Sequence, residues 1–182
     1  TVTEYGYDRL NRMTVTKYND VPSEDETTGT LTESLSYNRA GSVTNKILKF
    51  NDQVKSESAY YYDSRNNLIL SVDKADGKEA ASSFEYNNAG WLIAEASPES
   101  FSGLSSEETD PVKKYAVSNA SGYTRYTYDL AGRVKTKEFN GTTYKFDEGT
   151  GTIKPADDSF VISAFSYDAN DNVIKEVDGE DL

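Results

Sequence analysis

Six times this chain spells one short phrase: a Tyr, an Asp or Asn, two variable residues, a turn former, one more residue, and an aliphatic residue or Met. The copies begin at Tyr7, Tyr37, Tyr62, Tyr86, Tyr128 and Tyr167 and read YDRLNRM, YNRAGSV, YDSRNNL, YNNAGWL, YDLAGRV and YDANDNV. A unit repeated at such spacing limits the chain to a repeat architecture, in which each copy folds the same way and buries itself against its neighbours.

Each phrase reads as a hairpin corner. Four residues after the Tyr stand Asn11, Gly41, Asn66, Gly90, Gly132 and Asp171. Gly takes positive φ without steric penalty, and Asn and Asp are the next most tolerant. One residue after the Tyr stand Asp8, Asn38, Asp63, Asn87, Asp129 and Asp168. A short oxygen-bearing side chain there accepts from backbone N–H groups further along the turn. The spacing predicts a type I turn followed by a G1-type bulge.

The flanks alternate. Two residues before each Tyr stand Tyr5, Leu35, Tyr60, Phe84, Tyr126 and Phe165, and six after it stand Met13, Val43, Leu68, Leu92, Val134 and Val173. Period two puts these on one strand face with the Tyr. Cross-strand pairs of this kind contribute about 0.2–1 kcal/mol each. The Tyr residues are therefore read as structural. The fold class expected is all-β, with antiparallel hairpin repeats forming a curved or spiralling sheet.

The intervals between successive Tyr are 30, 25, 24, 42 and 39 residues. The short ones hold one outgoing strand, a return turn and one incoming strand. Return turns are expected at Asn51-Asp52 and Asp76-Gly77. The longer intervals hold polar loops at 21–30, 97–121 and 147–158, of which 97–121 should be the most mobile. Asn140-Gly141, between alternating segments, predicts a further hairpin turn. The whole of 1–182 is read as a single repeat segment, with the loops as insertions at its edges.

Composition closes off much chemistry. The 182 residues include 14 Tyr and neither His nor Cys. Imidazole catalysis, thiolate catalysis and zinc sites built on those ligands are excluded. Adjacent carboxylates at Glu107-Glu108 and Asp157-Asp158 would face opposite ways on a strand, and no evident acid–base pair results. Asp168 to Asn172 spaces oxygens somewhat like a calcium loop but lacks its Gly and its bidentate Glu, and it is already explained as a corner. The Asn119 and Asn140 sequons are chance matches. No enzyme, cofactor or metal is expected. The net charge of −12 disfavours nucleic acid and anionic membranes.

The phrase resembles the YD repeat, or Rhs repeat, whose consensus runs roughly Tyr-Asp-x-x-Gly-Arg-Leu. Tyr128 to Val134 follows it almost letter for letter, including Arg133; the other five copies depart at the Gly or Arg position. The family includes Rhs polymorphic toxins, the BC shell of insecticidal Tc toxins, wall-associated proteins of Gram-positive bacteria, and teneurins. The resemblance implies a long sheet wound into a hollow shell, which in the toxins encloses an effector. It implies a secreted or cell-surface bacterial protein whose partners are neighbouring repeats and an enclosed effector. The Asp-Pro-x-Gly block that closes many Rhs shells is absent, since Asp110-Pro111 continues with Val112-Lys113. With no initiator Met, no leader and no effector-sized stretch after Tyr167, the expectation is a segment excised from a larger protein.

Two features leave room for binding. Trp91 stands where the consensus has Arg, and alternation turns it away from Tyr86 and Leu92. An outward indole is a stacking platform for a surface glycan; covering an adjoining strand, or packing under the 97–121 loop, is the other reading. An extracellular adhesion module is accordingly the alternative function. The first strand, Thr1 to Tyr7, carries a single charge and strong β formers, so self-association through that edge is expected.

Overall fold

In a computed structural model, residues 2–22, 28–105, 107–147 and 152–178 are described, with 142–147 and 152–160 described in backbone only. The chain divides into two compact units, Thr1–Ala81 and Ser82–Leu182. The fold is all-β and antiparallel, with twelve strands whose order in the sheet is their order in the chain.

The first unit contains β1 (Thr3–Tyr7), β2 (Met13–Pro22), β3 (Thr28–Tyr37), β4 (Val43–Phe50), β5 (Gln53–Tyr62) and β6 (Leu68–Ala75). β7 (Lys78–Tyr86) begins in this unit and ends in the next. The second unit continues with β8 (Leu92–Ala96), β9 (Gly122–Tyr128), β10 (Val134–Asp147), β11 (Thr152–Tyr167) and β12 (Val173–Asp178).

All six phrases are corners. The residue four after each Tyr has positive φ: Asn11 60°, Gly41 94°, Asn66 67°, Gly90 83°, Gly132 84° and Asp171 66°. The ladder slips by one residue at every corner, as a bulge requires; thus Tyr7 lies opposite Met13 while Gly6 lies opposite Val15. The return turns fall at Asn51-Asp52, with φ of 47° and 67°, and at Asp76-Gly77, with 50° and 71°. Positive φ at both central residues is what a two-residue type I′ turn needs, and its twist matches the strands it joins.

Two expectations are corrected. Asn140-Gly141 is not a turn: both residues lie inside the continuous 14-residue strand β10. Gly141 is opposite Gly122, and a Cβ at 141 would stand 2.6 Å from the Ser121 carbonyl oxygen. A Cβ at Gly122 would strike the Phe139 ring at 2.6 Å. Gly is needed here so that two backbones and a ring can close up, not for turning. The 147–158 loop is corrected with it, because residues 152–158 belong to β11 and pair with β10; 148–151 lie outside the described residues. In the 21–30 loop the strand arms reach Pro22 and return at Thr28, and 23–27 likewise lie outside them.

The described residues of 97–121 hold no strand, as expected. They do hold a small core. Two 3-10 turns, Pro98–Phe101 and Val117–Asn119, flank a helical turn α1 (Pro111–Lys114) capped by the Asp110 carboxylate on the Val112 N–H at 3.0 Å. Phe101 and Tyr115 meet edge to face at 5.4 Å and, with Val117, are buried. The Ser121 N–H donates to the Ser100 carbonyl at 2.8 Å and closes the base of the loop. The 117–119 turn contacts β8, where Ala94 and Ala96 are buried. In the first unit the most buried apolar side chains are Leu70 and Val72 on β6 and Ala81 on β7.

Candidate functional site

Among the described residues, specific side-chain chemistry is concentrated at the repeated corners. Within a corner, the Asp or Asn organises the loop. The Asp129 Oδ1 accepts from the N–H of Ala131 at 2.9 Å and of Arg133 at 3.0 Å. Asp8, Asp63 and Asp168 accept from the corresponding two N–H groups of their own corners at 2.8–3.0 Å. Asn87 does the same with its single oxygen, and Asn38 accepts from Ser42 N–H. The Asp residues have a second oxygen, which takes the side chain of the sixth residue of the phrase. Arg12 Nε and Arg133 Nε donate at 2.7 Å, and the Asn67 and Asn172 amides at 2.9 Å.

These bonds favour the carboxylate form. Asp129 is held below its ordinary pKa by the Arg133 side chain and then by the Arg133 backbone N–H. Asn67 acts likewise on Asp63 and Asn172 on Asp168, side chain first. For Asp8 the Arg12 backbone N–H leads and its guanidinium follows.

Corners are also tied to one another through the Tyr. Four Tyr hydroxyls donate to the backbone carbonyl of the last residue of the preceding phrase: Tyr37 to Met13 at 2.6 Å, Tyr62 to Val43 at 2.7 Å, Tyr128 to Leu92 at 2.5 Å and Tyr167 to Val134 at 2.7 Å. Where the sixth residue is Arg, it also covers the Tyr ring of the next phrase. Arg12 lies 4.7 Å from the Tyr37 ring centre and Arg133 4.6 Å from that of Tyr167. Arg12 Nη1 also donates to the Asn38 carbonyl at 3.1 Å, and Arg133 Nη1 to the Asp168 carbonyl at 3.0 Å and the Asp171 carboxylate at 2.7 Å. One guanidinium thus satisfies its own corner and clamps the next, using the planar fork that Lys lacks.

Trp91 fills the same position, and of the two readings of the sequence the indole takes the one in which it covers an adjoining strand. Its ring lies 5.1 Å from the Tyr128 ring at a 42° tilt, and it sits over Gly132. The bulge turns the sixth residue toward the next corner, so simple strand alternation misplaces it. Sequence reasoning also missed Arg12, Asn67 and Asn172 as clamp residues. The signal was present in the covariation within the phrase: Asp in second place goes with Arg or Asn in sixth, whereas Asn38 goes with Ser42 and Asn87 with Trp91. Where the clamp is as short as Ser42, Asn66 of the next corner reaches back, its amide donating to the Ser42 hydroxyl at 2.7 Å and its oxygen accepting from Asn38 at 2.9 Å.

Away from the corners, a cleft of about 290 Å³ in the second unit is lined by Phe84, Tyr123 and Phe139 with Glu95, Ser97 and Ser100. Beside it Tyr126 donates to the Glu95 carboxylate at 2.5 Å; burial, then that bond, pushes its pKa upward. Glu107 and Glu108 are exposed on the long connection, and the side chains of Asp157 and Asp158 lie outside the described residues. Asn119 is occupied, its amide donating to the Lys113 and Lys114 carbonyls at 2.9 and 3.1 Å. Among the described residues no cluster of acidic side chains is arranged to hold a metal, and no helix is long and apolar enough to cross a membrane.

No protein-family model matches the chain, and no curated protein matches it. Among solved structures, a crystal structure of TcdB2-TccC3-Cdc42 is similar over 93% of this chain and 9% of its own, at 12% identity and a TM-score of 0.49. A porin-like protein from Bacteroides uniformis is similar over 87% of this chain and 89% of its own, at 14% identity and a TM-score of 0.20. At these identities and scores neither similarity assigns a family.

Proposed function

We propose that the chain is a non-catalytic wall segment of a secreted or surface protein of the YD-repeat type, contributing strands to a β-shell that encloses or displays an effector. The corner ladder carries the reading. Its recurring letters hold each corner together and tie it to its neighbour: a carboxylate on two N–H groups within the corner, then a Tyr hydroxyl on a carbonyl and a clamp over a ring between corners. A wall needs that kind of lateral bonding, and none of these groups is left over for chemistry. Electron cryomicroscopy of the parent protein tests it. A hollow β-wall containing these strands in sequence order, with density inside, is expected; a filled or open assembly with no enclosed volume overturns it.

A second reading, a glycan-binding module, is favoured by the Phe84, Tyr123 and Phe139 cleft with its polar rim. A glycan array probed with the chain and with Tyr123→Ala separates the two. Binding lost in the variant establishes the module; an empty array eliminates it.

A further inference from the structure

The register of the second unit sets four side chains in one row across a sheet face. Phe84 on β7 lies opposite Glu95 on β8, Glu95 opposite Thr124 on β9, and Thr124 opposite Phe139 on β10. At the usual strand spacing the two Phe Cα atoms stand about 14 Å apart, with the carboxylate and the hydroxyl between them. Two residues further along each strand, and so on the same face, stand Ser82, Ser97, Gly122 and Gly141. A tall row beside a low one makes a trough, and all of these residues but Gly141 line the cleft of about 290 Å³. Phe139 leans over the low row, since a Cβ on Gly122 would stand 2.6 Å from its Cζ. Glu95 is the only carboxylate in the lining, and no Lys or Arg lines the cleft. Among the described residues its one partner is the Tyr126 hydroxyl, which donates to Oε1 and leaves Oε2 to accept. Lys137, opposite Tyr126, holds its Nζ 5.8 Å from that ring rather than on Glu95.

We infer that this cleft takes an amino sugar with a free ammonium group, such as glucosamine, the ammonium resting on Glu95 Oε2. The inference rests on the glycan-module reading of the cleft and names the class of sugar. A pyranose offers an apolar face to a Phe ring and equatorial hydroxyls to Ser82, Ser97 and Thr124. A neutral sugar would leave the half-buried carboxylate without a countercharge, and an anionic one would set two like charges in one cleft. An ammonium supplies the missing charge through a charge-assisted hydrogen bond, and the net charge of −12 draws it in. At about 290 Å³ the cleft is at the small end of ligand sites, which suits one sugar residue rather than a peptide segment.

Titration calorimetry on the whole chain compares the β-linked glucosamine disaccharide, with free amines, against its N-acetylated form and against lysine amide. The free-amine sugar should bind about tenfold tighter than the acetylated one, the worth of one charge-assisted hydrogen bond. Glu95→Gln keeps the shape and removes the charge, so it should bind both sugars alike, while Phe84→Ala should weaken both together. The selectivity of the parent chain depends on no variant, and circular dichroism checks that each variant is folded. Equal binding of the two sugars by the parent chain, or undiminished selectivity in Glu95→Gln, overturns the ammonium assignment and leaves the glycan module standing. Binding of neither sugar overturns the inference, and with an empty glycan array the module falls with it. Lysine amide binding as tightly as the free-amine sugar assigns the cleft to a peptide ammonium and overturns the inference as well.

Discussion

Gly41 and Gly132 occupy the same place in two corners, at φ of 94° and 84°, yet the structure makes them unequal. Nothing lies within 4 Å of a Cβ built on Gly41, whereas one built on Gly132 stands 2.6 Å from Trp91 Cζ2 and 3.1 Å from Cε2. Asn is the informative substitution, because Asn11 and Asn66 already hold this position at φ of 60° and 67°. Gly41→Asn should shift stability by no more than about 0.5 kcal/mol, since Asn tolerates positive φ and reduces the freedom of the unfolded chain. Gly132→Asn should cost roughly 1–3 kcal/mol, the range for an atom forced into occupied space, because Trp91 must leave its place on Tyr128. Trp91→Ser with Gly132→Asn recreates the Ser42–Asn66 pairing, in which amide and hydroxyl bond at 2.7 Å. On the Trp91→Ser background, then, Gly132→Asn should cost less than about 0.5 kcal/mol or stabilise, a coupling of about 1 kcal/mol or more. Urea denaturation followed by far-ultraviolet circular dichroism measures each corner of the cycle. Equal costs for Gly41→Asn and Gly132→Asn, or a coupling near zero, would refute the seating of Trp91 over the next corner.

Arg133→Lys should lower the urea midpoint in the same assay, because an ammonium cannot keep the Asp129 fork, the Asp168 carbonyl and the Tyr167 ring together; an unchanged midpoint would refute the clamp. Gly141→Asn separates strand from turn: an Asn in an Asn-Gly turn would be mild, whereas the close Gly122 backbone predicts a loss of roughly 1–3 kcal/mol by thermal melting. Acid should loosen the corners. Asp8, Asp63, Asp129 and Asp168 have folded-state pKa values below the ordinary 3.8, so their contribution is whole above that value and is lost as pH falls through the lower folded one. Replacing all four with Asn should flatten the melting temperature between about pH 4 and pH 2 relative to the parent chain; an unchanged slope would show that these carboxylates do not matter.

The corners themselves were legible in the sequence. A left-handed residue, an N–H-accepting side chain and an alternating flank are local demands, met within seven residues, and local demands leave a local trace. The same holds for Asn51-Asp52 and Asp76-Gly77, where the turn is complete in two residues. Asn140-Gly141 carries the same kind of letters and became strand, because the decision was made by Gly122 and Phe139, 19 and 2 residues from Gly141 along the chain. Trp91 was decided the same way. Alternation assigns it a face, but the bulge rotates it onto a ring 37 residues later. Phe101, Tyr115 and Val117 were hidden by the polar letters around them, and only the folding back of the connection brings them together. The chain alone determined how each corner turns. The tertiary structure decided what each corner's sixth residue touches, because that contact lies in the next repeat, at a distance set by whatever loop happens to intervene.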